Sequence, residues 1–433
     1  MPSDIAGPEP GKVILRRVPE YDPDGISRII REGIQAFGLA DRIKGKVTIK
    51  PNVVFAHHKV APSAFTRPEF LDGLVTALKA GAAGELRISV AEKCGAALPT
   101  VRMFRRAGYY PLRKKHGFRL VPMEEVKKVK VPLAKGQLHT EVTLAREMVD
   151  RDFLVYAPKL KTNVLAHGLT GALKLNIGIL CDKERMWHHH FDLDKKIVDL
   201  AEVGAPDFIA TDAIECAIGG NQMTQPGRHL GAVIMATNPL AHDVVCAHIL
   251  HLDPAKIGHL KLASERGYGS LDLASIEIEG DITLDELRER TKDWDLGFIH
   301  ASQLPGNMKV LCGEPYCTGG CHGVFLDWIY MIKDRKPKLW NNLPAWTVVI
   351  GEYKGDVEAK RVFLLGTCTK VLGTLKARRK IRILGCPPKH KKLVMWLFLR
   401  AGIVNPMFQP GLILDGYPFY WLSKLRTFFR ERY

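Results

Sequence analysis

Five of the nine cysteines in this 433-residue chain fall in its last third, each beside glycine, proline or another turn-former. Cys312, Cys317 and Cys321 lie in LCGEPYCTGGCHG, Cys368 in LGTC and Cys386 in GCPP. Cysteines that only fill a core sit inside apolar periodic runs, and these do not. An iron–sulfur cluster needs thiolates converging from loops, with glycines that let the backbone fold around the sulfides and donate amides to them. Cys312, Cys317 and Cys321 are candidates for three ligands, and Cys368 or Cys386 for the fourth. One [4Fe–4S] cluster with one cysteine to spare is the leading count. Zinc is the alternative: Cys312, Cys317 and Cys321 with Cys386 or His322 could make a tetrahedral site. Cys94, Cys181, Cys216 and Cys246 stand alone, and Cys246 lies inside the apolar AHDVVCAHIL.

A second set of candidates is cationic. KLKTNVLAHGLTGALKLNIG combines Lys159, Lys161 and Lys174 with Gly168, Gly171 and Gly178, a composition suited to an anion held by amines and by free amides at a helix start. It contains neither a P-loop nor a dinucleotide fingerprint. Lys50, Lys161 and Asp212 are the candidate catalytic residues, and Asn52, Lys159, Thr162, Asn163 and Lys174 the candidate substrate contacts. His188, in MWHHHFDLDKK, is a further candidate for metal or proton-transfer work. Asp243 could act as an acid or ligand, or cap the helix after it.

The elements that must position these residues alternate between strand-like and helix-like runs. GKVTIK, ELRISVAE, DFLVYA, PDFIATDAIE and GAVIMA read as strands. RPEFLDGLVTALKAGAAG and TVRMFRRAGYYPLRKKHG read as helices between them. The expected fold is α/β, with a mainly parallel or mixed sheet and flanking helices over 1–295 and a smaller cysteine-bearing, basic and aromatic C-terminal module over 296–433. In open α/β sheets ligands bind beyond the carboxyl ends of strands. Lys50, Asn52, Glu92, Lys93, Lys159 to Asn163 and Asp212 all fall there, and Lys50, Asn52, Lys161, Thr162, Lys174 and Asp212 are expected to converge on one cavity.

The succession KPN (Lys50 to Asn52), TRP (Thr66 to Pro68), PKLKT (Pro158 to Thr162), GLTGALKLNIG, TDAIE (Thr211 to Glu215) and NPLAHD (Asn238 to Asp243) resembles the family catalogued as domain of unknown function 362, over roughly residues 45–270. The resemblance implies an iron–sulfur association, since members often carry ferredoxin-like cysteine motifs. It supplies no reaction. Two features depart from the family pattern: Asn163 stands where histidine is commoner, and there is no compact pair of bacterial ferredoxin motifs.

With 46% hydrophobic and 25% charged residues, the composition is that of a globular chain. There is no apolar signal core at the start, and no apolar run reaches the ~18 residues that span a bilayer. The expectation is a cytoplasmic protein with free or metal-bound thiols. The net charge of +17 gathers towards the C-terminus among aromatic residues. An anionic membrane surface or an acidic protein suits that mixture better than nucleic acid, for which no binding signature is present. A solvated basic face over a buried or oligomer-forming helix is the plainer account.

Together these point to an iron–sulfur oxidoreductase acting on a small anionic or conjugated substrate. An electron-donor protein would be a partner, and a homo-oligomer is compatible with the chain. The alternative is a non-enzymatic cluster- or zinc-binding carrier or assembly protein, peripheral to a membrane.

Overall fold

The central strands form where apolar residues dominate, as strands buried on both faces must. The computed structural model describes residues 11–58, 61–95, 98–165, 168–186, 192–219, 225–297, 300–304, 307–314, 317–342, 345–388, 392–393 and 410–430. The larger sheet contains β1 (Gly11–Arg17), β2 (Gly45–Pro51), β3 (Leu86–Glu92) and β4 (Arg119–Pro122). Between β4 and the rest of that sheet, β5 (Lys128–Pro132) and β6 (Glu141–Ala145) make a separate antiparallel pair. The larger sheet continues with β7 (Phe153–Ala157), β8 (Lys159–Lys161), β9 (Phe208–Ala217), β10 (Gly227–Ala236) and β11 (Ile276–Gly280). Its order is β11-β1-β10-β9-β7-β2-β3-β4, with β8 continuing from β7 onto β9. Pairing is parallel from β9 to β4 and antiparallel where β10 meets β9 and β1. The fold class is α/β with a mixed sheet.

Strand alternation divides the core into two layers. Leu154 and Tyr156 of β7 enter one apolar cluster, while Phe153, Val155 and Ala157 enter the other. The helices Pro23–Ala36 and Pro68–Ala80 cover the second face; Leu193–Ala201 and Pro239–Ile249 cover the first. The single helix expected over TVRMFRRAGYYPLRKKHG is two, Thr100–Arg106 and Tyr109–His116. The break is at Gly108, whose φ of +79° no helix accommodates.

A second, wholly parallel sheet carries the cysteines: β12 (Lys309–Cys312), β13 (Thr347–Tyr353), β14 (Val357–Val371) and β15 (Leu375–Ile383). Its strands stack as rungs. Cys312 pairs with Ile350, Ile350 with Leu365 and Leu365 with Ile383. Val348, Ile350, Phe363 and Leu365 face the first cluster of the larger sheet, together with Phe325 and Ile329 of the helix Gly323–Arg335. One continuous apolar cluster therefore joins the two sheets.

Candidate functional site

The carboxyl ends of β2, β3 and β7 deliver a buried polar group. Lys50 is fully buried and its Nζ stands 3.0 Å from Glu92 Oε1. Glu92 also accepts from the backbone amides of Val53 (3.0 Å) and Lys93 (2.8 Å), so the carboxylate is satisfied on both oxygens. Burial lowers the Lys50 pKa, and the charge and hydrogen bond of Glu92 oppose that. Gly178 leaves room for the pair: a Cβ there would lie 2.5 Å from Glu92 Oε1 and 2.6 Å from Lys50 Nζ.

Lys161, at the end of β8, donates to Asn52 Oδ1 at 3.1 Å. Burial lowers its pKa to about 8; Glu92 opposes this, while Arg185, Lys50 and Lys159 reinforce it. Lys174 is partly buried and makes no hydrogen bond or ion pair among the described residues. Its pKa falls well below the usual lysine value, through burial first and then the charges of Lys161 and Arg185. An amine buried in this way is, while it keeps its proton, a charged donor suited to a ligand carboxylate or phosphate.

Lys159 and Asp212 belong to an adjoining network. Lys159 Nζ lies 2.9 Å from Asp212 Oδ2 and donates to Tyr21 OH at 2.7 Å, and Tyr21 donates to Asp212 Oδ1 at 2.8 Å. Burial and the Asp212 charge raise the Tyr21 pKa, so that phenol stays protonated. Thr66 holds the strand ends together: its hydroxyl accepts from Asn52 N at 3.0 Å and donates to Ala157 O at 2.7 Å.

Two expected substrate contacts are committed to their own loops. Thr162 Oγ1 accepts from Gly219 N at 3.0 Å, and Asn163 Oδ1 accepts from Leu165 N at 2.8 Å. Asp243 caps a helix, though not the one after it. Its carboxylate accepts from Ala172 N (2.6 Å) and Leu173 N (3.0 Å), pinning the short helix Ala172–Leu175 that carries Lys174. Asn238 caps the helix Pro239–Ile249 instead. His188 lies outside the described residues. Tyr21 and Arg185 have no sequence signal: each is a lone polar residue far along the chain from its partners.

The cysteines separate into two groups. Cys317, Cys321, Cys368 and Cys386 lie close enough for their charges to act on one another. Cys321 donates its S–H to Cys317, and the amides of Cys321, Cys317 and Gly320 also point at that sulfur. These bonds pull the Cys317 pKa down to about 6, while Cys321 keeps its proton. Gly366, at φ +105°, opens the space: a Cβ there would stand 2.7 Å from Cys321 Sγ.

Cys312 belongs to a further group, with two histidines. It is the last residue of β12. Its ligand atom and those of His300 and His322 all lie within 4.8 Å of one another, a trio able to hold a metal ion. Burial and the nearby Glu314 raise the Cys312 pKa to about 12. The four-cysteine group is more widely spread than that trio, whereas a single zinc draws its thiolates to Zn–S distances of about 2.3 Å.

A His–Cys–His trio able to hold a metal ion and an α/β core with buried amines at its strand ends define the chain structurally. Residues 47–248 match the family described as Domain of unknown function (DUF362). That span contains Lys50, Asn52, Glu92, Lys159, Lys161, Lys174, Arg185 and Asp212, and ends before the cysteine-bearing sheet. No curated protein matches the chain. Among solved structures, the lactate racemase apoprotein from Thermoanaerobacterium thermosaccharolyticum is 14% identical with a TM-score of 0.35; the match covers 55% of this chain and 57% of that one. A likeness at that level does not bear on function.

Proposed function

We propose that the chain is an iron–sulfur oxidoreductase in which Cys317, Cys321, Cys368 and Cys386 hold one [4Fe–4S] cluster. The observation that carries this is the proximity of these four thiols to one another, with Gly366 leaving room beside Cys321. The fit is chemical: four soft thiolate donors, amides directed at Cys317, and a glycine where a side chain would strike Cys321. A cluster in this place supplies one-electron transfer.

The chain's own residues supply the substrate site. Lys161 and Lys174 would bind a carboxylate, phosphate or conjugated carbonyl, with Asn52 and the Lys50–Glu92 pair fixing the floor beneath it. The two sites are close in the fold. Lys174 senses the charge of Asp327, which stands just over one turn into the helix that begins two residues after Cys321. Phe325 and Ile329 of that helix belong to the apolar cluster of the larger sheet.

A cluster or zinc carrier is the second reading, favoured by the exposure of Cys368 and Cys386. Anaerobically purified protein should be brown, with about four iron and four sulfide per chain, and should reduce and reoxidise without losing iron. Colourless protein with stoichiometric zinc overturns the cluster. Ready transfer of the cluster to an apo-ferredoxin favours the carrier over the enzyme.

A further inference from the structure

Among its described side chains, the helix Pro410–Arg430 meets the protein through Phe419, Ser423, Arg426 and Thr427. Ser423 is buried, Thr427 Oγ1 donates to Glu124 O at 3.0 Å, and Arg426 stands 3.6 Å from Glu125. Arg102 covers the ring of Phe419 at 4.8 Å. These contacts fix the rotation of the helix, and therefore what it turns outward. Trp421, Leu422, Leu425, Phe428 and Phe429 follow helical spacing on the opposite face and are between 46% (Leu422) and 59% (Phe429) exposed. Single exposed apolar residues are ordinary, but a contiguous stripe of five large ones signals a contact surface.

The surroundings of this stripe are cationic. Beside the helix, a cavity of about 140 Å³ is lined by Lys128, Lys183 and Lys424, with Glu124 the one carboxylate among its described lining residues. Glu124 is itself engaged, accepting from Thr100 N at 2.8 Å. Arg102, Arg105 and Arg106 follow on the neighbouring helix. The chain as a whole carries +17. No helix among the described residues is long and apolar enough to cross a membrane.

We infer that this helix docks the protein on an anionic phospholipid surface. Its apolar stripe enters the boundary between headgroups and acyl chains, and the lysine-lined cavity receives a lipid phosphate. A second protein copy would cover an apolar face equally well. The adjoining concentration of positive charge distinguishes the two, because two copies would bring like charge against like charge, while an anionic bilayer neutralises it. Trp and Phe among basic residues, on a helix lying flat, match the interfacial geometry.

Co-sedimentation of the full chain with vesicles tests this. Binding is expected to phosphatidylcholine vesicles containing phosphatidylglycerol, and not to phosphatidylcholine alone, and it should weaken as salt rises. The variant Phe428→Ser/Phe429→Ser should lose it. Lys128→Gln/Lys424→Gln should weaken it by about fivefold per lysine. Both pairs are surface changes, and an unaltered melting temperature for each would separate lost docking from lost folding. No binding to anionic vesicles at low salt overturns the inference. So does a lipid-free dimer, seen by sedimentation, that Phe428→Ser/Phe429→Ser dissociates. Iron content is measured in the same samples, so a failure of docking is distinct from a failure of the cluster assignment.

Discussion

Cys368 in β14 and Cys386, three residues beyond the end of β15, occupy equivalent register positions. Leu365 of β14 pairs with Ile383 of β15, and each cysteine follows its strand partner by three residues. The turn between is closed twice over: Thr367 N donates to Gly385 O at 3.0 Å, and Gly385 N donates to Thr367 Oγ1 at 3.0 Å. The parallel register, offset by eighteen residues from 365 to 383 and equally from 368 to 386, is what makes neighbours of two thiols far apart in the chain.

From this grouping, Cys368→Ser and Cys386→Ser should each remove most of the bound iron, whereas Cys312→Ser should leave it. Iron and sulfide analysis of anaerobically purified variants measures this. Iron lost from Cys312→Ser to the same extent would return Cys312 to the cluster.

Gly366→Ala should act on the same group without removing a thiol. The new Cβ would press on Cys321 Sγ, and its backbone would sit in a region costing an L-residue on the order of 1–3 kcal/mol. Gly38→Ala is the control: Gly38 also has positive φ, but nothing lies within 4 Å of the added carbon. Both variants should lower the melting temperature, and only Gly366→Ala should lower the iron content.

The Lys50–Glu92 pair predicts a stability effect. Glu92→Gln would leave the Lys50 ammonium buried without its counter-charge, a loss of roughly 3–5 kcal/mol. Adding Lys50→Met to Glu92→Gln should recover much of it. Urea titration of the single and double variants checks both statements.

The pH dependence of Lys161 has a definite sign. Burial holds its folded pKa near 8, against 10.5 for an ordinary lysine, so between those values the unfolded chain binds more protons than the folded one. Stability attributable to this residue therefore rises with pH from about 8 to 10.5, and the full cost of burying its charge is present at pH 7. The difference in unfolding free energy between wild type and Lys161→Met should change across that window by a few kcal/mol. A flat difference would mean that Lys161 is solvated.

Much of the core could be read from residue order. Apolar runs marked β2, β3, β7, β9 and β10, and the polar residues at their ends are the ones that meet: Lys50 with Glu92, Lys161 with Asn52, Lys159 with Asp212. Gly108 was legible only as a helix-tolerated glycine, because positive φ depends on the packing around it. The surroundings of Cys312 were not legible, because spacing in sequence says little about side chains gathered at a strand end. Its histidine neighbour His300 lies before β12, with no spacing to announce it. The Cys368–Cys386 offset is regular, but it has meaning only once the strands are known to be parallel rungs.

The apolar cluster that runs from Leu154 and Tyr156 of the larger sheet to Phe363 and Leu365 of the smaller one has a consequence for turnover in the cell. Two bodies sharing one interior cannot come apart cheaply, so they should melt together in a single cooperative transition. Damage to the thiol-bearing strands would then be felt at the lysines without any direct contact between them. A chain with damage there would open as a whole, presenting degradation machinery with an unfolded substrate in place of a trimmed core.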